Sequence, residues 1–558
     1  MANIGREEVS GAHDSEIPAQ FVDFMATGWR EEEVDLTPVA QVKHLARRRE
    51  LLSQAFPGDT LVIPTGNIHS RTFGAPYDFR AGSDFLWLTG DQEPDSVLVM
   101  HPTATGHDAV LYVQPRSDAT SGAQYLDRMD GEIWHGRRFS PGEKAVRLGI
   151  ETRVLGELPG VLGRVASSDR LRVLRGYDRG IDGGLERGVL PVTAGNVARD
   201  GLLASVLSEL RLVKDEWEIA QLQDAVDATV RGFEDVARRL RPDGVTAERF
   251  VDGVFAWRAR VEGNGVGYSS VVAGGGRSTI LHWSRNDGVV EPGQVLLLDM
   301  GVENVNGYTA DVTRVLPVSG SFSVAQRDVY DIVYAARTAG LGVLAPGVAF
   351  VEVQEVCNRV LAEGLRGLGL LRGSVEEALD PSSLEYRRWS LHGFGHMLGL
   401  DVHDCGHSRP EFYGGGVLRE NHVLTMEPGL YLQPHDELVP AELRGVGVRI
   451  EDDVQVTASG ARVLTEALPT QSHEVESWLA AQREAGPGNR APMTSDEMTP
   501  AEHEFDVFTG RLGIEVPADL KGGVLSGYQG LRGMTALLRG VDTGHRGRTG
   551  GGTEAAHG

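Results

Sequence analysis

The stretch LLLDMGVENVNGYTADVTR, residues 296–314, contains two apolar segments on either side of an Asn-Gly pair. Asn306-Gly307 is a strong signal for a tight turn between antiparallel strands, because both residues tolerate positive φ. The pattern therefore predicts a β-hairpin. Asp299 ends its first strand and Asp311 lies twelve positions later, across the turn. Hairpin closure brings these carboxylates together, provided that their side chains share one face.

Three further candidate metal ligands follow in similarly apolar segments, namely His396 in HGFGHMLGLDVHD, Glu427 in TMEPGLY and Glu451 in RIEDD. Four carboxylates and one imidazole in such surroundings would repel one another and lose their hydration unless cations joined them. Two divalent ions would balance the four carboxylates, and a bridging hydroxide would complete the site. Each carboxylate alone is typical of a strand end, but the five residues together predict a two-metal hydrolase.

Three histidines lie close together in the run LHGFGHMLGLDVHD, namely His392, His396 and His403. The spacing of four between the first two would suit a helical metal site. The glycines between them favour a loop instead, in which only one histidine needs to bind metal, and spacing does not identify which one. His282 in ILHWSRND is a fourth candidate, although a single histidine in such a place is more often structural.

The organisation of the chain follows from its length and its changes in composition. At 558 residues the chain is longer than the length at which a single hydrophobic core stops growing. This length predicts two domains with appendages. Strand-like runs alternate with helical segments to about residue 205, and an amphipathic segment beginning at Leu210 opens the second domain. We predict a polar N-terminal arm (1–40), an N-terminal α/β domain (41–205), a catalytic domain (206–475) and a flexible Gly/Pro-rich tail (476–558).

Charge and cysteine content restrict the partners and the compartment. A formal net charge of −25 argues against a nucleic-acid or anionic-membrane partner, since either requires a basic surface. Cys357 and Cys405 cannot form a disulfide framework, which favours a reducing compartment. The sequence shows neither a signal-peptide pattern nor an apolar run of about 18 residues. These features together predict a cytoplasmic protein.

Six segments in sequence order resemble the Xaa-Pro aminopeptidases (aminopeptidase P) of the pita-bread metallopeptidase superfamily. They are LRLVKDEWEIAQL, YSSVVAGGGRSTILHW, LLLDMGVENVNGYTADVTR, HGFGHMLGLDVHD, LTMEPGLYL and GVGVRIEDD. The resemblance covers roughly residues 45–475 and implies an α+β pita-bread catalytic domain behind an α/β N-terminal domain that serves substrate access and oligomerisation. It also implies a homodimer or homotetramer that acts on peptides with proline at the second position.

The resemblance implies a role for each of the five candidate ligands. Asp299 corresponds to the terminal carboxylate on one metal, and Asp311 and Glu451 correspond to the bridging pair. His396 and Glu427 correspond to ligands of the other metal, with Glu427 also acting as general base. A ligand set dominated by oxygen favours Mn²⁺, while Co²⁺ or Zn²⁺ are able to occupy the same site.

Six other residues match family positions that do not bind metal. His282, His392 and His403 match histidines that contact the substrate and stabilise the tetrahedral intermediate, with His403 donating to the developing oxyanion. Tyr431 and Arg449 match a pair that orients the ligands. Tyr268 matches a residue that lines the same site and contacts substrate.

Three features depart from the family pattern. The two hairpin aspartates are twelve positions apart, whereas the family spacing is eleven, and one extra turn residue would absorb the difference. The segment DFLWL places Leu86 where the family has a substrate-facing tryptophan and displaces Trp87 by one position. Gly74 stands where close relatives have an aspartate, six residues before Arg80.

An Xaa-Pro dipeptidase (prolidase) is the main alternative, because such enzymes share every metal ligand. They carry a longer arginine-bearing insertion before the segment that matches Glu427. Only 23 residues separate His403 from Glu427 here, which favours the aminopeptidase. Arg409 and Arg419 keep the alternative open, since either could bind the carboxylate of a dipeptide. A non-catalytic pita-bread binding module is a remote alternative, because such proteins have lost ligands that this chain retains.

Overall fold

The computed structural model describes residues 18–73, 75–117, 125, 131–165, 170–186 and 194–486. Most of the predicted flexible tail and the departure at Gly74 lie outside the described residues, as does the start of the N-terminal arm. None of the described helices is both long enough and apolar enough to cross a membrane.

The first half of the described chain is an α/β domain. Its elements are α1 (Ala19–Met25), α2 (Val42–Ala55), β1 (Thr60–Pro64), β2 (Ser70–Thr72), β3 (Ala75–Pro76), α3 (Ser83–Thr89), β4 (Val97–Pro102), β5 (His107–Val113), α4 (Glu132–His135), α5 (Pro141–Leu148), β6 (Glu151–Val154), α6 (Leu158–Val165), β7 (Leu171–Val173), α7 (Arg179–Glu186) and α8 (Ala194–Arg211). Five strands form a mixed sheet in the order β6-β5-β4-β1-β7. The α/β fold predicted for this part is confirmed.

Strand β1 shows why this sheet is covered on both faces. Successive side chains of a strand point to opposite faces. Leu61 and Ile63 pack into one apolar cluster, whereas Val62 between them packs into another. All five residues of the strand are buried, and the short apolar run that the sequence shows at this point is typical of such a strand.

The second half is built from antiparallel strands and long helices. Its elements are α9 (Glu216–Arg239), β8 (Thr246–Ala247), α10 (Glu248–Glu262), β9 (Gly265–Val266), β10 (Val271–Gly274), β11 (Val289–Val290), β12 (Val295–Met300), β13 (Val302–Glu303), β14 (Val312–Pro317), α11 (Val324–Val343), α12 (Phe350–Gly367), α13 (Val375–Leu379), β15 (Val423–Met426), β16 (Gly429–Leu432), β17 (Val446–Arg449), β18 (Asp452–Thr457), β19 (Gly460–Val463) and α14 (Ser472–Ala485). The strands pair as β10-β12-β14, β15-β18-β19 and β16-β17. The predicted α+β class is confirmed.

The hairpin predicted from residues 296–314 is present as β12 and β14. Its turn is closed by a hydrogen bond from the Gly307 amide to the Asn304 carbonyl at 3.0 Å, and Gly307 has φ +85°. Asp299 lies directly opposite Thr313 in the antiparallel register. Since Asp311 precedes Thr313 by two residues, its side chain lies on the same face as that of Asp299. The condition for bringing the two carboxylates together is therefore met.

Two helix ends refine the picture that the sequence patterns give. The apolar pattern that begins at Leu210 is interrupted, because α8 ends at Arg211 and α9 begins at Glu216. Asp215 and Glu218 form reciprocal hydrogen bonds between side chain and backbone, both at 3.0 Å, and so cap the start of α9. At the other end, α14 continues to Ala485, past residue 476 where the tail was predicted to begin.

One apolar core joins the two halves of the chain. The N-terminal half contributes Leu52 and Trp87, and the second half contributes Tyr308 and Leu398, all at most 2% exposed. A single buried cluster that includes side chains from both halves fixes the N-terminal sheet against the second half of the chain. The loop that contains the candidate histidines packs on this core.

Candidate metal centre

The sequence-predicted site residues converge on one pocket of about 480 Å³. Ten of the eleven line it, namely Tyr268, His282, Asp299, Asp311, His392, His396, His403, Glu427, Arg449 and Glu451. The eleventh, Tyr431, is buried behind the pocket wall and is hydrogen-bonded to Arg449 and His392. Residues separated by up to 183 positions in sequence are thus brought to one place.

Two antiparallel strand pairs present the four carboxylates. The first pair is the hairpin described above, which supplies Asp299 and Asp311. In the second, Thr425 of β15 lies opposite Asp453 of β18. Glu427 follows Thr425 by two residues and Glu451 precedes Asp453 by two, so the alternation of side chains along a strand places both glutamates on one face. Strand geometry alone therefore aims all four carboxylates at the same pocket.

His396 is the imidazole best placed to bind a cation. Its Nε2 lies 3.4 Å from Oδ2 of Asp311 and 3.5 Å from Oε1 of Glu427. Its Nδ1 lies 3.1 Å from the Met397 carbonyl oxygen, to which it donates a hydrogen bond. This bond orients the ring so that Nε2 is the nitrogen that faces the carboxylates. Ligand atoms of Asp311, His396 and Glu451 all lie within 4.8 Å of one another.

His392 has a different environment, because both of its ring nitrogens have hydrogen-bond partners. Nδ1 lies 2.8 Å from the Gly393 carbonyl oxygen and donates to it, while Nε2 accepts from the Tyr431 hydroxyl at 2.7 Å. Residues 390–396 form no helix, which confirms the predicted loop. His403 lies edge-on to His396, with ring centroids 4.3 Å apart, and both His403 and His282 are exposed at the pocket.

The pocket carries a large excess of negative charge. Among the described residues that line it, Arg449 is the one arginine or lysine. Arg449 donates to Asp299, to the Tyr431 hydroxyl at 2.9 Å and to Thr313 Oγ1 at 2.9 Å. Thr313 in turn donates to Glu451 at 2.6 Å. A single guanidinium holds two of the carboxylates in place but cannot neutralise four.

Burial and mutual repulsion shift the acid–base properties of these groups. Burial raises the pKa of Glu427 to about 7, and burial together with the neighbouring carboxylates raises the pKa of Glu451 well above its ordinary value. Although burial opposes it, the hydrogen bond to Asp311 raises the pKa of His396 to about 9. Such shifts mark a pocket whose charge is not balanced by the chain itself. An oxygen-rich donor set with one imidazole and excess negative charge fits divalent cations.

Comparisons with known proteins agree with this geometry. The family model for metallopeptidase family M24 matches residues 220–458, and that for the aminopeptidase P N-terminal domain matches residues 44–173. The chain is 49% identical over 463 residues to Xaa-Pro aminopeptidase 1 of Streptomyces coelicolor, an alignment that covers 83% of this chain and 92% of that protein. The chain belongs to the Xaa-Pro aminopeptidases of family M24. It is a metal-dependent aminopeptidase, with the N-terminal domain and pita-bread catalytic domain of that family.

More distant members of the M24 aminopeptidases share the same architecture. The Xaa-Pro aminopeptidase of Escherichia coli is 31% identical over 469 residues, which cover 80% of this chain and 100% of that protein. Aminopeptidase P from E. coli with the inhibitor Pro-Leu superposes with a TM-score of 0.69 at 30% identity, and covers 80% of this chain and 100% of its own. The zinc-substituted E. coli enzyme in complex with product gives the same TM-score at 31% identity.

Sequence reasoning missed two residues that contact the candidate ligands of this aminopeptidase. Thr313 bridges Arg449 and Glu451, as described above. The Asp453 carboxylate accepts hydrogen bonds from the Asp311 amide at 3.2 and 3.3 Å. Each lies two residues beyond a predicted ligand, on the same face of its strand, and that spacing is the signal that would have identified them.

The remaining residues singled out in the aminopeptidase lie outside the pocket. Leu86 and Trp87 are both buried, and Leu86 packs beside the Gly307 turn of the hairpin. Arg409 donates two hydrogen bonds, of 2.7 and 2.8 Å, to the Glu209 carboxylate. Arg419 contacts His422, with Nε 3.4 Å from its ring nitrogen. Neither arginine lines the metal pocket, so the structure gives no support to a carboxylate-binding role for either.

Proposed function

We propose that this aminopeptidase removes the N-terminal residue from peptides whose second residue is proline. The observation that carries the proposal is the pocket, in which four carboxylates and one correctly oriented imidazole face one guanidinium. The identity of 49% to a protein named Xaa-Pro aminopeptidase 1 supports the same substrate class.

We assign the metal ligands residue by residue. Asp299 would bind one metal terminally, Asp311 and Glu451 would bridge the two, and His396 and Glu427 would complete the second site. Two divalent ions, when bound, supply a nucleophile at neutral pH and polarise the scissile carbonyl. The preponderance of carboxylate donors favours Mn²⁺, with Co²⁺ or Zn²⁺ as substitutes.

Residues of the chain handle the protons of the reaction. Glu427 would take a proton from the attacking water and pass it to the departing proline nitrogen. His403, exposed beside His396, donates a hydrogen bond to the oxyanion that develops on the carbonyl oxygen. Arg449 donates to the Tyr431 oxygen, and the Tyr431 hydroxyl donates to His392, so this chain of bonds fixes the His392 ring for contact with substrate.

The lining of the pocket suits an Xaa-Pro bond. This bond is a tertiary amide without an N–H group, so a site that cleaves it cannot depend on that donor. Val271, Leu281 and Val402 line the same pocket and provide an apolar wall for the proline ring. Tyr268 donates to Asp299 at 2.7 Å and, with His282, completes the polar side of the substrate site.

We also propose the roles of the larger parts. Residues 206–475 form the catalytic domain, and the N-terminal domain of residues 41–205 serves substrate access and assembly into a homodimer or homotetramer. A cytoplasmic location is supported by the two cysteines, which are both buried and unpaired.

Hydrolysis of Arg-Pro-Pro and of Gly-Pro, each with added Mn²⁺ and with a chelator, tests this function. We expect cleavage of the tripeptide alone, abolished by the chelator. Preference for the dipeptide would instead establish the prolidase alternative. Glu427→Ala is the matched variant, and substantial Mn²⁺-dependent activity in it would refute the assignment of Glu427 as ligand and base.

A further inference from the structure

A second group of buried charges lies behind the loop that contains His396 and His403. We refer to it as the interdomain cluster, and its members are Asp84, Arg211, Lys214, Asp401 and Asp404. All but Asp401 have side chains at most 5% exposed, whereas Asp401 is 46% exposed. Asp84 lies on α3 of the N-terminal domain, and the other two aspartates lie in the histidine loop of the catalytic domain.

Arg211 connects the two domains through its guanidinium group. Its Nη1 donates to Asp84 at 2.7 Å, and its Nη2 donates to Asp401 at 2.8 Å and to Asp404. Ser83, the neighbour of Asp84, donates to Asp401 at 2.6 Å. Three carboxylates from two domains therefore share one rigid fork, a geometry that lysine could not reproduce.

Lys214 holds the other oxygen of Asp404. Its ammonium group donates to Asp404 Oδ2 at 2.7 Å and to the Arg211 carbonyl at 2.6 Å. Both carboxylate oxygens of Asp404 are thus bound by buried cations, and the side chain has a single position. The adjacent Gly399 leaves room for this arrangement, because a Cβ there would lie 2.2 Å from Asp404 Oδ2.

The backbone of Asp404 links this arrangement to the pocket histidines. The Asp404 amide donates to the Met397 carbonyl oxygen at 2.9 Å. The same carbonyl oxygen accepts the hydrogen bond from Nδ1 of His396. His403, which immediately precedes Asp404, has its ring packed edge-on against His396. The side chain of Asp404 is thus held by two buried cations, and its backbone directly carries His403.

We propose that Asp404 is a positioning residue for His403, and that Arg211 and Asp84 extend this control to the N-terminal domain. The inference rests on the proposed role of His403 in stabilising the oxyanion. Its consequence is that an α3 residue outside the metal pocket affects the rate of the chemical step within a single chain. Small displacements of a catalytic group are costly, since a shift of about 1 Å lowers rates by on the order of 100-fold.

The test is a double-mutant cycle between Asp404→Asn and His403→Ala, measured at saturating Mn²⁺ with metal content determined for each variant. We expect Asp404→Asn to lower kcat by about 10- to 100-fold with KM and bound metal nearly unchanged. In the His403→Ala background the same substitution should lower kcat by less than about twofold, because the group it positions is absent.

Two outcomes separate the failure of this inference from the failure of the proposed function. Equal losses from Asp404→Asn in both backgrounds would overturn the positioning role while leaving the role of His403 intact. Full activity of His403→Ala would overturn the oxyanion role itself and the inference with it. Asp84→Asn provides a second variant if Asp404→Asn does not fold, since it removes only the N-terminal contact of Arg211 and should show the same non-additivity.

A matched control compares lysine substitutions of two arginines whose guanidinium groups each make several hydrogen bonds to carboxylates. Arg211→Lys keeps the charge but loses the simultaneous contacts, so we expect kcat to fall while KM is preserved. Arg231→Lys alters a fork that joins α9 to Glu262 of α10, away from the pocket, and should leave kcat unchanged. Equal kcat in the two variants would overturn the proposal.

Discussion

Two groups of buried carboxylates lie on either side of one loop, and they are balanced in different ways. In the interdomain cluster, Asp84 and Asp404 face Arg211 and Lys214, so the chain supplies its own cations. In the metal pocket, four carboxylates share the single guanidinium of Arg449. Burial of carboxylates therefore does not by itself indicate a metal site. What indicates it is burial without compensating arginine or lysine nearby.

The pKa of Asp404 and that of Glu451 illustrate this difference, although burial still raises the pKa of Asp84, which has Arg211 as its one cation partner among the described residues. Burial raises the pKa of any carboxyl group, but Arg211 and Lys214 more than offset it and hold the pKa of Asp404 below its ordinary value. For Glu451, burial and the neighbouring carboxylates act in the same direction and raise the pKa. The pKa values of these two fully buried acids in the same domain are thus shifted in opposite directions.

The largest effect on activity is expected from a substitution in the metal pocket, where one guanidinium faces four carboxylates. Glu451→Gln should lower activity by several orders of magnitude, because it removes a carboxylate that we propose both metals share. With a chelator present, the same variant should be more stable than the parent enzyme, since one source of repulsion is gone. Activity assays and urea denaturation with and without Mn²⁺ measure both effects. A variant that is less stable in the chelator would show that the carboxylates are compensated after all.

In the interdomain cluster we expect a substitution to lower stability rather than raise it. Asp404→Asn leaves the buried Arg211 and Lys214 without their shared carboxylate, which should reduce the free energy of unfolding by about 3–5 kcal/mol. The loss should be equal with and without Mn²⁺, because this cluster needs no metal. Urea denaturation under both conditions checks it, with Glu451→Gln as the matched comparison. A change below about 1 kcal/mol would mean that the ion pairs contribute no net stability.

The smallest effect is expected from pH. In the metal-free enzyme the pKa of His396 is raised to about 9 from an ordinary value of 6.5. The folded state therefore binds a proton that the unfolded state lacks, and this stability is present below pH 6.5 and lost as pH rises to 9. Lowering the pH from 9 to 7 should raise the free energy of unfolding by about 2 kcal/mol.

Metal-loaded enzyme provides the control for that pH dependence. Metal binding requires an unprotonated imidazole, so the gain on acidification should disappear when Mn²⁺ is bound. The comparison also removes contributions from titrating groups outside the pocket, which are common to both forms. Identical slopes of the melting temperature against pH in the two forms would contradict the shift assigned to His396.

The elements predicted from sequence are those with local signals. The hairpin has a local signal in Gly307, which adopts φ +85° after a turn closed to Asn304, and the alternation along β12 and β14 then places Asp299 and Asp311 together. The presence of a cation site was predictable from charge, since buried carboxylates without cations are costly, but the histidine that belongs to it was left open by spacing. The capping residues Asp215 and Glu218 were also a local signal, and they would have located the break before α9 that the continuous apolar pattern concealed.

Pairings across the chain were not predictable in this way. Arg211 and Asp404 are 193 residues apart, and nothing in either segment indicates the other. The spacing of two from Asp311 places Thr313 on the face of the candidate ligands, but its hydrogen bond from Arg449, 136 positions away, follows only from the fold. The preference for His396 over His392 as the candidate ligand likewise depends on a contact across the chain. The Tyr431 hydroxyl donates a hydrogen bond to Nε2 of His392 and so occupies that nitrogen.

The apolar core shared by the two halves has a consequence for biosynthesis. Trp87 and its neighbours emerge from the ribosome long before Tyr308 and Leu398, the residues that cover them. At about 5–20 residues per second, the roughly 310 residues between Trp87 and Leu398 take on the order of half a minute to translate. During that interval the apolar side chains of the N-terminal half that pack against the second half remain uncovered, so this part of the core is completed only after the histidine loop has been translated.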